Sequence, residues 1–232
     1  MKQAEVLKKD DFETPQYYEH GHWKTWSRVY DFIVKLSFIP FGGENRFRRK
    51  VVEMASVKEG EQVLDLCCGT GTLTSLVARK VGSNGHVTAV DLSQDMITRA
   101  KKKVTDLPVT FRRASADNLP FEEGTFDKAF ISYGMHEMPD EIRLRAMKEL
   151  YRVLKPGGSL FIVDYNLPGS PLPRLIIGLF LRIFEEKVAY KMAHDGVLPR
   201  QLKEAGFTVN DRKLPLGGMF QIIRSDKSLL GE

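Results

Sequence analysis

The chain has 232 residues, of which 42% are hydrophobic and 28% charged, and its formal net charge is +5 at pH 7. This length fits one large α/β domain with a substantial core, and the two cysteines cannot build a disulfide framework, so a reducing, cytoplasmic setting is expected. No apolar stretch is long enough to span a bilayer, and the N-terminal residues are too charged for a secretory signal.

Past residue 60 the chain alternates between short apolar runs and segments with helical spacing. The apolar runs predict five strands, at residues 62–66, 86–91, 109–114, 127–132 and 159–165. The intervening patterns, with Ser93 as an N-cap and Pro139 in a first turn, predict helices at residues 72–81, 93–104 and 139–155. This alternation implies a doubly wound parallel sheet with helices on both faces.

The C-terminal part follows a different pattern. After a helix around residues 200–205, the strand-like segments FTVNDRKL and MFQIIRS are separated by only a few residues. Strands so closely linked pair antiparallel, because a parallel crossover needs a dozen residues or more. We therefore expect an α/β fold with a mostly parallel, seven-stranded sheet and an antiparallel C-terminal strand.

A glycine-rich turn, VLDLCCGTGTLT at residues 63–74, follows the first strand, where open α/β sheets bind ligands. A dinucleotide motif is disfavoured, because Thr74 stands where its third glycine belongs. The turn is not a phosphate-binding loop, because it lacks the lysine that such a loop requires. A metal or redox site is also disfavoured, because Cys67 and Cys68 are adjacent, whereas the cysteines of such sites are spaced apart. The turn therefore favours a cofactor bound without these phosphate or metal contacts, and we expect no metal site.

The VLDLCCGTG segment resembles the first motif of class I S-adenosylmethionine-dependent methyltransferases, which usually reads V-L-D-x-G-C-G-T-G. The resemblance continues through SADNLPFEEGTFD and RVLKPGGSL, and so covers about residues 60–165. It implies a Rossmann-like fold, S-adenosylmethionine as the methyl donor, and methyltransferase activity. Cys67 replaces the first glycine of the motif, which puts a side chain where the backbone passes the ligand. The alternative is that both cysteines are small apolar side chains that only fill space in the core.

The resemblance implies cofactor-binding residues along the carboxyl ends of the strands. Asp91 would accept from both ribose hydroxyls, Asp117 from the adenine amino group, and Asp65 would lie near the methionyl amine. Two alternatives stay open: Asp65 capping the following loop, and Asp117 as a solvated loop residue. The same resemblance assigns cofactor contacts to Tyr30, Cys67, Gly69, Thr70, Gly71, Leu92, Ala116 and Ser132.

Within the class, the chain is similar to the ubiquinone/menaquinone biosynthesis C-methyltransferases, a branch with a methyltransferase type 11 domain. Tyr30 and Asp31, with Ser37 downstream, resemble the N-terminal signature of that branch. RVLKPGGSLFIVDYN resembles its second signature, with Asp164 and Asn166 in place of glutamate and serine. This likeness favours C-methylation of a quinol-type acceptor.

Other functions stay open beside that one. An N-methyltransferase of a phospholipid or amine would need less assistance from a base. Nucleic-acid methylation is disfavoured, because SYGM stands where an N/D-P-P-Y/F motif would follow the fourth strand, and the basic residues are scattered among acids. A noncatalytic S-adenosylmethionine-binding protein and a nicotinamide oxidoreductase are further alternatives.

Substrate selection then falls to the variable parts of the chain. We expect an N-terminal helical lid or substrate segment at residues 1–60 and an S-adenosylmethionine-binding domain at 61–232, with a substrate-lid insert at about 167–198. The insert contains LIIGLFL, which is apolar enough to line a pocket for a lipophilic acceptor or to lie at a membrane surface, with Arg174, Arg182 and Lys187 near anionic headgroups. An ordinary helix covering the sheet is the alternative, and the oligomeric state stays open.

Candidate catalytic residues lie just after the fourth strand, in SYGMHEMPD. His136 has an ordinary pKa suited to accepting a proton near neutral pH, and Tyr133 and Glu137 are its neighbours. A purely structural histidine is the alternative. Methyl transfer from a sulfonium needs mainly positioning and exclusion of water, with a base only where the acceptor must lose a proton.

Overall fold

The computed structural model describes residues 42–185 and 187–229. Seven strands in this part of the chain form one sheet: β1 Gln62–Leu66, β2 His86–Asp91, β3 Val109–Arg113, β4 Phe126–Ser132, β5 Leu154–Tyr165, β6 Thr208–Lys213 and β7 Phe220–Asp226. The order across the sheet is β3-β2-β1-β4-β5-β7-β6. β7 pairs antiparallel with both of its neighbours, and the other pairs are parallel. The predicted mostly parallel sheet with an antiparallel C-terminal strand is confirmed.

The described helices are α1 Glu44–Ala55, α2 Thr72–Val81, α3 Gln94–Lys103, α4 Asp140–Val153, α5 Pro171–Phe184, α6 Lys187–Asp195 and α7 Leu198–Glu204, with 3-10 turns at Met135–Glu137 and Leu216–Gly218. Ser93 caps α3 as predicted, because its hydroxyl accepts from the backbone N–H of Met96 at 3.3 Å. Among the described residues, none of these helices is long and apolar enough to cross a membrane.

The start of β5 differs from the prediction. β5 begins at Leu154, directly after α4, whereas the sequence predicted a helix to Lys155 and a strand from Ser159. Its pairing with β4 shifts, from Phe126 opposite Leu154 to Lys128 opposite Ser159. The Pro-Gly-Gly segment is therefore an irregularity inside the strand, which the left-handed backbone of Gly157, with φ 75°, allows.

The two faces of the sheet carry separate cores, because successive strand side chains point to opposite faces. Leu64 and Ile131 pack with α4 and α7, whereas Val63 and Phe130 pack with α1 and α2. α1 contributes its buried face to the second core: Phe47, Val51, Val52 and Ala55. Part of the predicted N-terminal segment is thus packed on the sheet as a core helix.

The insert after β5 forms α5 and α6, which pack together through a small apolar cluster that includes Ile177, Leu181 and Ala193. The opposite side of α5 exposes large apolar side chains, with exposed fractions between 54% and 67%: Leu172, Leu175, Ile176, Leu179 and Ile183. The spacing of these residues puts them on one helix face.

Candidate active site

The glycine turn contains two glycines with different structural roles. Gly69 has φ 53°, and a Cβ placed there would meet no atom within 4 Å, so the backbone borders open space. Gly71 has φ 78°, and a Cβ there would lie 2.8 Å from the Cβ of Ala100 in α3. Gly69 is therefore the position where the loop can approach a ligand, and Gly71 is required for close packing of α3.

Cys67 adopts a left-handed backbone with φ 56°, the conformation that a glycine would adopt at less cost. A Cβ on Gly134 would lie 2.7 Å from the Cβ and 2.8 Å from the Sγ of Cys67. The bare backbone of Gly134, which sequence analysis did not single out, therefore makes room for Cys67. Burial raises the pKa of both Cys67 and Cys68 well above the usual value, so the two thiols stay protonated.

Two carboxylates flank the turn on neighbouring strands. Asp65 is buried and accepts from the Thr74 hydroxyl at 2.6 Å; burial raises its pKa to about 6. Asp91 accepts from the N–H groups of Gly69 and Ser93, each at 2.8 Å, and burial raises its pKa. The structure thus brings together the two acids that the sequence placed at the ends of β1 and β2.

The other predicted cofactor positions lie around this pair. Asp117 is ion-paired: it accepts from Ser115 at 2.5 Å and from Nη2 of Arg145 at 2.9 Å. It is therefore not a loop residue solvated without a partner, and Arg145 was missed by the sequence analysis. Thr70 accepts from Lys103 at 2.8 Å, Ala116 is buried, and Leu92 is half-buried.

Ser132 and Tyr133 lie at the carboxyl end of β4 and contact an arginine from α1. Nη1 of Arg48 donates to the Ser132 hydroxyl at 3.1 Å, and its guanidinium lies 5.6 Å from the centroid of the Tyr133 ring. Nothing in the sequence marked Arg48, since it precedes Ser132 by 84 positions. Tyr30, the remaining predicted cofactor contact, lies outside the described residues.

His136 is held between two carboxylates. Its Nδ1 lies 2.8 Å from Asp164, and its Nε2 lies 3.7 Å from Glu185. Burial alone would lower the pKa of His136, but the charge and hydrogen bond of Asp164, together with Glu185, raise it to about 10. At this pKa His136 is an imidazolium at neutral pH, which differs from the titration that the sequence suggested, and its catalytic role stays a prediction.

The residues around His136 fix its orientation. Asp164 also accepts from the backbone N–H groups of Met135 and His136, at 3.0 and 3.2 Å. The fully buried Arg143 donates to the carbonyls of Met135 and Met138, at 2.9 and 2.6 Å, and so braces the 3-10 turn. These contacts hold the imidazolium rigidly at the carboxyl edge of the sheet.

Tyr165 and Glu185 connect this edge to the insert. The Tyr165 ring lies 4.7 Å from the His136 ring, and its hydroxyl donates to Glu185 at 3.0 Å. Glu185 follows α5 directly, so the helix with the exposed apolar face ends at the candidate site. Sequence analysis identified the insert but not this carboxylate.

Comparison with known proteins agrees with this geometry. Residues 19–200 match the model of the ubiE/COQ5 methyltransferase family. An uncharacterised methyltransferase of Synechocystis sp. is 34% identical over 87% of this chain and 94% of its own length. A demethylmenaquinone methyltransferase of Staphylococcus epidermidis is 30% identical over 87% of this chain and 83% of its own.

Solved structures share the fold. An S-adenosylmethionine-dependent methyltransferase from Aquifex aeolicus superposes with a TM-score of 0.60, at 24% identity, over 77% of this chain and 88% of its own. The [4+2]-cyclase SpnF has a TM-score of 0.63 at 21% identity, over 89% of this chain and 95% of its own. At these identities the likeness establishes the architecture alone.

The residues at the strand ends fit the cofactor that this family uses. Gly69 borders open space, and two buried or half-buried carboxylates, Asp65 and Asp91, flank it, so the turn offers acceptors of the kind that an amine and hydroxyl groups require. The fold, these carboxylates and the family match over residues 19–200 agree, and the chain therefore belongs to the ubiE/COQ5 family of S-adenosylmethionine-dependent methyltransferases.

Proposed function

We propose that this methyltransferase acts on a small lipophilic acceptor and methylates a quinol on carbon. The observation that carries the proposal is the insert: α5 exposes five large apolar side chains, and Glu185 at its end contacts Tyr165 and faces His136. An apolar surface thus leads directly to the polar edge of the site. The names of relatives support it, since one is a demethylmenaquinone methyltransferase and another, from Synechococcus elongatus, a 2-phytyl-1,4-naphtoquinone methyltransferase.

The cofactor contacts follow the sequence assignments. Asp91 accepts from the ribose hydroxyls, Asp117 from the adenine amino group, and Asp65 from the methionyl ammonium. The turn formed by Cys67, Gly69, Thr70 and Gly71, together with Leu92, Ala116, Ser132 and Tyr30, completes the cofactor site. The insert at 167–198 covers the substrate on the domain at 61–232, and the substrate role that the sequence predicts for residues 1–60 stays a prediction.

When bound, S-adenosylmethionine supplies an electrophilic methyl group on a sulfonium. The protein positions the acceptor and removes a proton from its hydroxyl as the ring carbon attacks the methyl group. The hydrogen on that carbon then leaves as a proton, which restores the aromatic ring, and the oxygen regains a proton, so one proton is released in all. His136, held as an imidazolium, donates a hydrogen bond to the acceptor oxygen and so favours the ionised form of the acceptor. Glu185 accepts the proton, and Tyr133 lines the same space beside β4.

A membrane contact follows from the same surface. The exposed face of α5 contacts the bilayer in which prenylated quinols dissolve. Of the three basic residues predicted to meet headgroups, Arg174 lies on the opposite side of α5 and donates to the Pro168 carbonyl. Arg182 contacts Tyr190, so Lys187 is the one left to meet anionic headgroups. The protein thereby works peripherally, from the cytoplasmic side.

Amine N-methylation is the second candidate. Asp164 and Glu185, together with the aromatic rings of Tyr133 and Tyr165, form surroundings that suit an ammonium group. The imidazolium of His136 repels that charge, so the quinol remains the favoured acceptor.

Transfer of labelled methyl groups to a panel of acceptors tests the proposal. The panel contains a reduced demethylnaphthoquinol with a prenyl chain, its short-chain analogue, phosphatidylethanolamine vesicles, a small amine and RNA. We expect label in the two quinols, with the prenylated one favoured. Label in the ethanolamine or the amine alone would establish N-methylation instead.

A further inference from the structure

Arg48 is a buried cation in a part of the site to which the sequence motifs assign no positive charge. Its side chain lies on α1, with 7% of the residue exposed, and its Nε donates to Glu44 at 2.6 Å. Its Nη1 donates to Ser132 at 3.1 Å, at the carboxyl end of β4. The guanidinium therefore reaches from α1 into the edge where the strands end.

Asp65 lies on the same face of the sheet. Side chains alternate along a strand, so Asp65 shares the face of Val63, which packs in the core of α1 and α2. Burial raises the pKa of Asp65, and the positive charge of Arg48 opposes that rise. The carboxylate of Asp65 on β1 and the guanidinium of Arg48, which reaches β4, therefore both lie beside the glycine turn.

The amino-acid end of S-adenosylmethionine carries an ammonium and a carboxylate at neutral pH. Burying either charge without a partner is costly. Asp65 suits the ammonium, and the carboxylate needs a cation nearby. Arg48, although paired with Glu44, is a cation whose charge acts on Asp65. Lys103 contacts Thr70 and Thr72, and Arg145 pairs with Asp117, so both lie at other parts of the site.

We infer that Arg48 binds the carboxylate of the methionyl moiety of the cofactor. Arg48 and Asp65 together then recognise a zwitterion, which makes Arg48 a cofactor-binding residue supplied by α1. Arginine suits this role because its planar donors match carboxylate geometry.

Isothermal titration calorimetry with three ligands tests the inference without any acceptor. S-adenosylhomocysteine carries both charges, S-adenosyl-3-thiopropylamine keeps the amine but lacks the carboxylate, and 5′-methylthioadenosine lacks both. In the wild type we expect the first ligand to bind about 10- to 100-fold more tightly than the second. Arg48→Gln is expected to remove that advantage and to leave the affinity for 5′-methylthioadenosine within about twofold.

Three further variants separate loss of binding from a purely structural effect. Glu44→Gln/Arg48→Gln removes both members of the buried pair, so no unpaired carboxylate remains, and the same ligand-specific loss is expected. Arg49→Gln, at the next and exposed position of α1, is the matched control and is expected to bind all three ligands as the wild type does. Arg48→Lys keeps the charge and should retain part of the preference.

Equal weakening of all three ligands by Arg48→Gln, or a wild type that binds the first two ligands equally, would overturn the inference. Failure of the quinol proposal would appear only in the acceptor panel, because the calorimetry contains no acceptor.

Discussion

His136 is a cation at neutral pH because Asp164 outweighs the effect of burial. Histidine Cε1–H resonances followed by NMR from pH 6 to 9 should show this directly. We expect the His136 resonance, assigned by its absence from His136→Ala, to stay at the imidazolium position throughout. A midpoint near the ordinary value of 6.5 would contradict the geometry.

Replacement of Asp164 tests the cause. In Asp164→Asn the charge that raises the pKa of His136 most is gone, while burial and the smaller effects of Glu185 and Glu137 remain, so the pKa should fall from about 10 towards its ordinary value. The kcat of methyl transfer at pH 7 should then fall several-fold, since much of the imidazolium donor is lost. His194→Ala, an exposed histidine paired with Asp195, is the control and should leave kcat unchanged.

At the scale of the element, α5 differs from a helix that only covers a sheet, because its outward face is apolar rather than polar. Ile177 and Leu181 are buried against α6, while five further leucine and isoleucine side chains remain exposed on the other face. Such a face favours contact with an apolar phase, because each large side chain transferred from water contributes about 1.5 to 3 kcal/mol.

Leu179→Asp is therefore expected to weaken association with anionic liposomes about tenfold or more in a cosedimentation assay. Turnover of the prenylated quinol in those liposomes should fall, while turnover of its short-chain analogue in solution should not. Leu214→Asp introduces the same change at an exposed apolar residue outside the insert and serves as the control. Equal liposome binding by Leu179→Asp and the wild type would refute the membrane contact.

The sequence predicted those elements whose signals are local. Ser93 and the alternation of apolar runs lie within single segments, so the strands and their parallel pairing could be derived. The Pro-Gly-Gly segment misled the prediction of β5, because its irregular pairing depends on β4.

The site residues also fall into those with a local sequence signal and those that only the fold brings together. Asp65 and Asp91 sit beside the turn that identifies them, and the motif was sufficient to find both. Arg48 lies 84 positions from Ser132, and Asp164 lies 28 positions from His136, so only the fold brings these pairs together. The pKa of His136 could not be read from the sequence for the same reason.

At the scale of the whole molecule, the buried carboxylate of Asp65 suits cofactor binding but lowers the free energy of unfolding when it is ionised. Its pKa in the folded protein is about 6, above the ordinary value of 3.8, so folding favours its protonated form. The contribution of protonated Asp65 to the free energy of unfolding is fully present below pH 3.8, and it is lost as the pH rises through 6. At pH 7.5 the ionised side chain therefore costs about 3 kcal/mol at most.

Asp65→Asn should consequently raise the Tm at pH 7.5, while the difference from the wild type shrinks towards pH 4. Asparagine can still accept from Thr74, so the hydrogen bond is preserved. Differential scanning calorimetry across this range gives the measurement, with the exposed Glu204→Gln as control. The same variant should bind S-adenosylhomocysteine more weakly, and a Tm difference independent of pH would contradict the assignment.

The contact between Cys67 and Gly134 constrains the order in which the two positions can change. With cysteine at 67, alanine at 134 collides, since its methyl would lie 2.7 Å from the cysteine Cβ. Once Cys67→Gly has occurred, that obstacle disappears, and the left-handed backbone is relieved of about 1 kcal/mol as well. Of the two orders of replacement, the one that changes Cys67 first is open and the one that changes Gly134 first is closed, so cysteine at position 67 requires glycine at position 134.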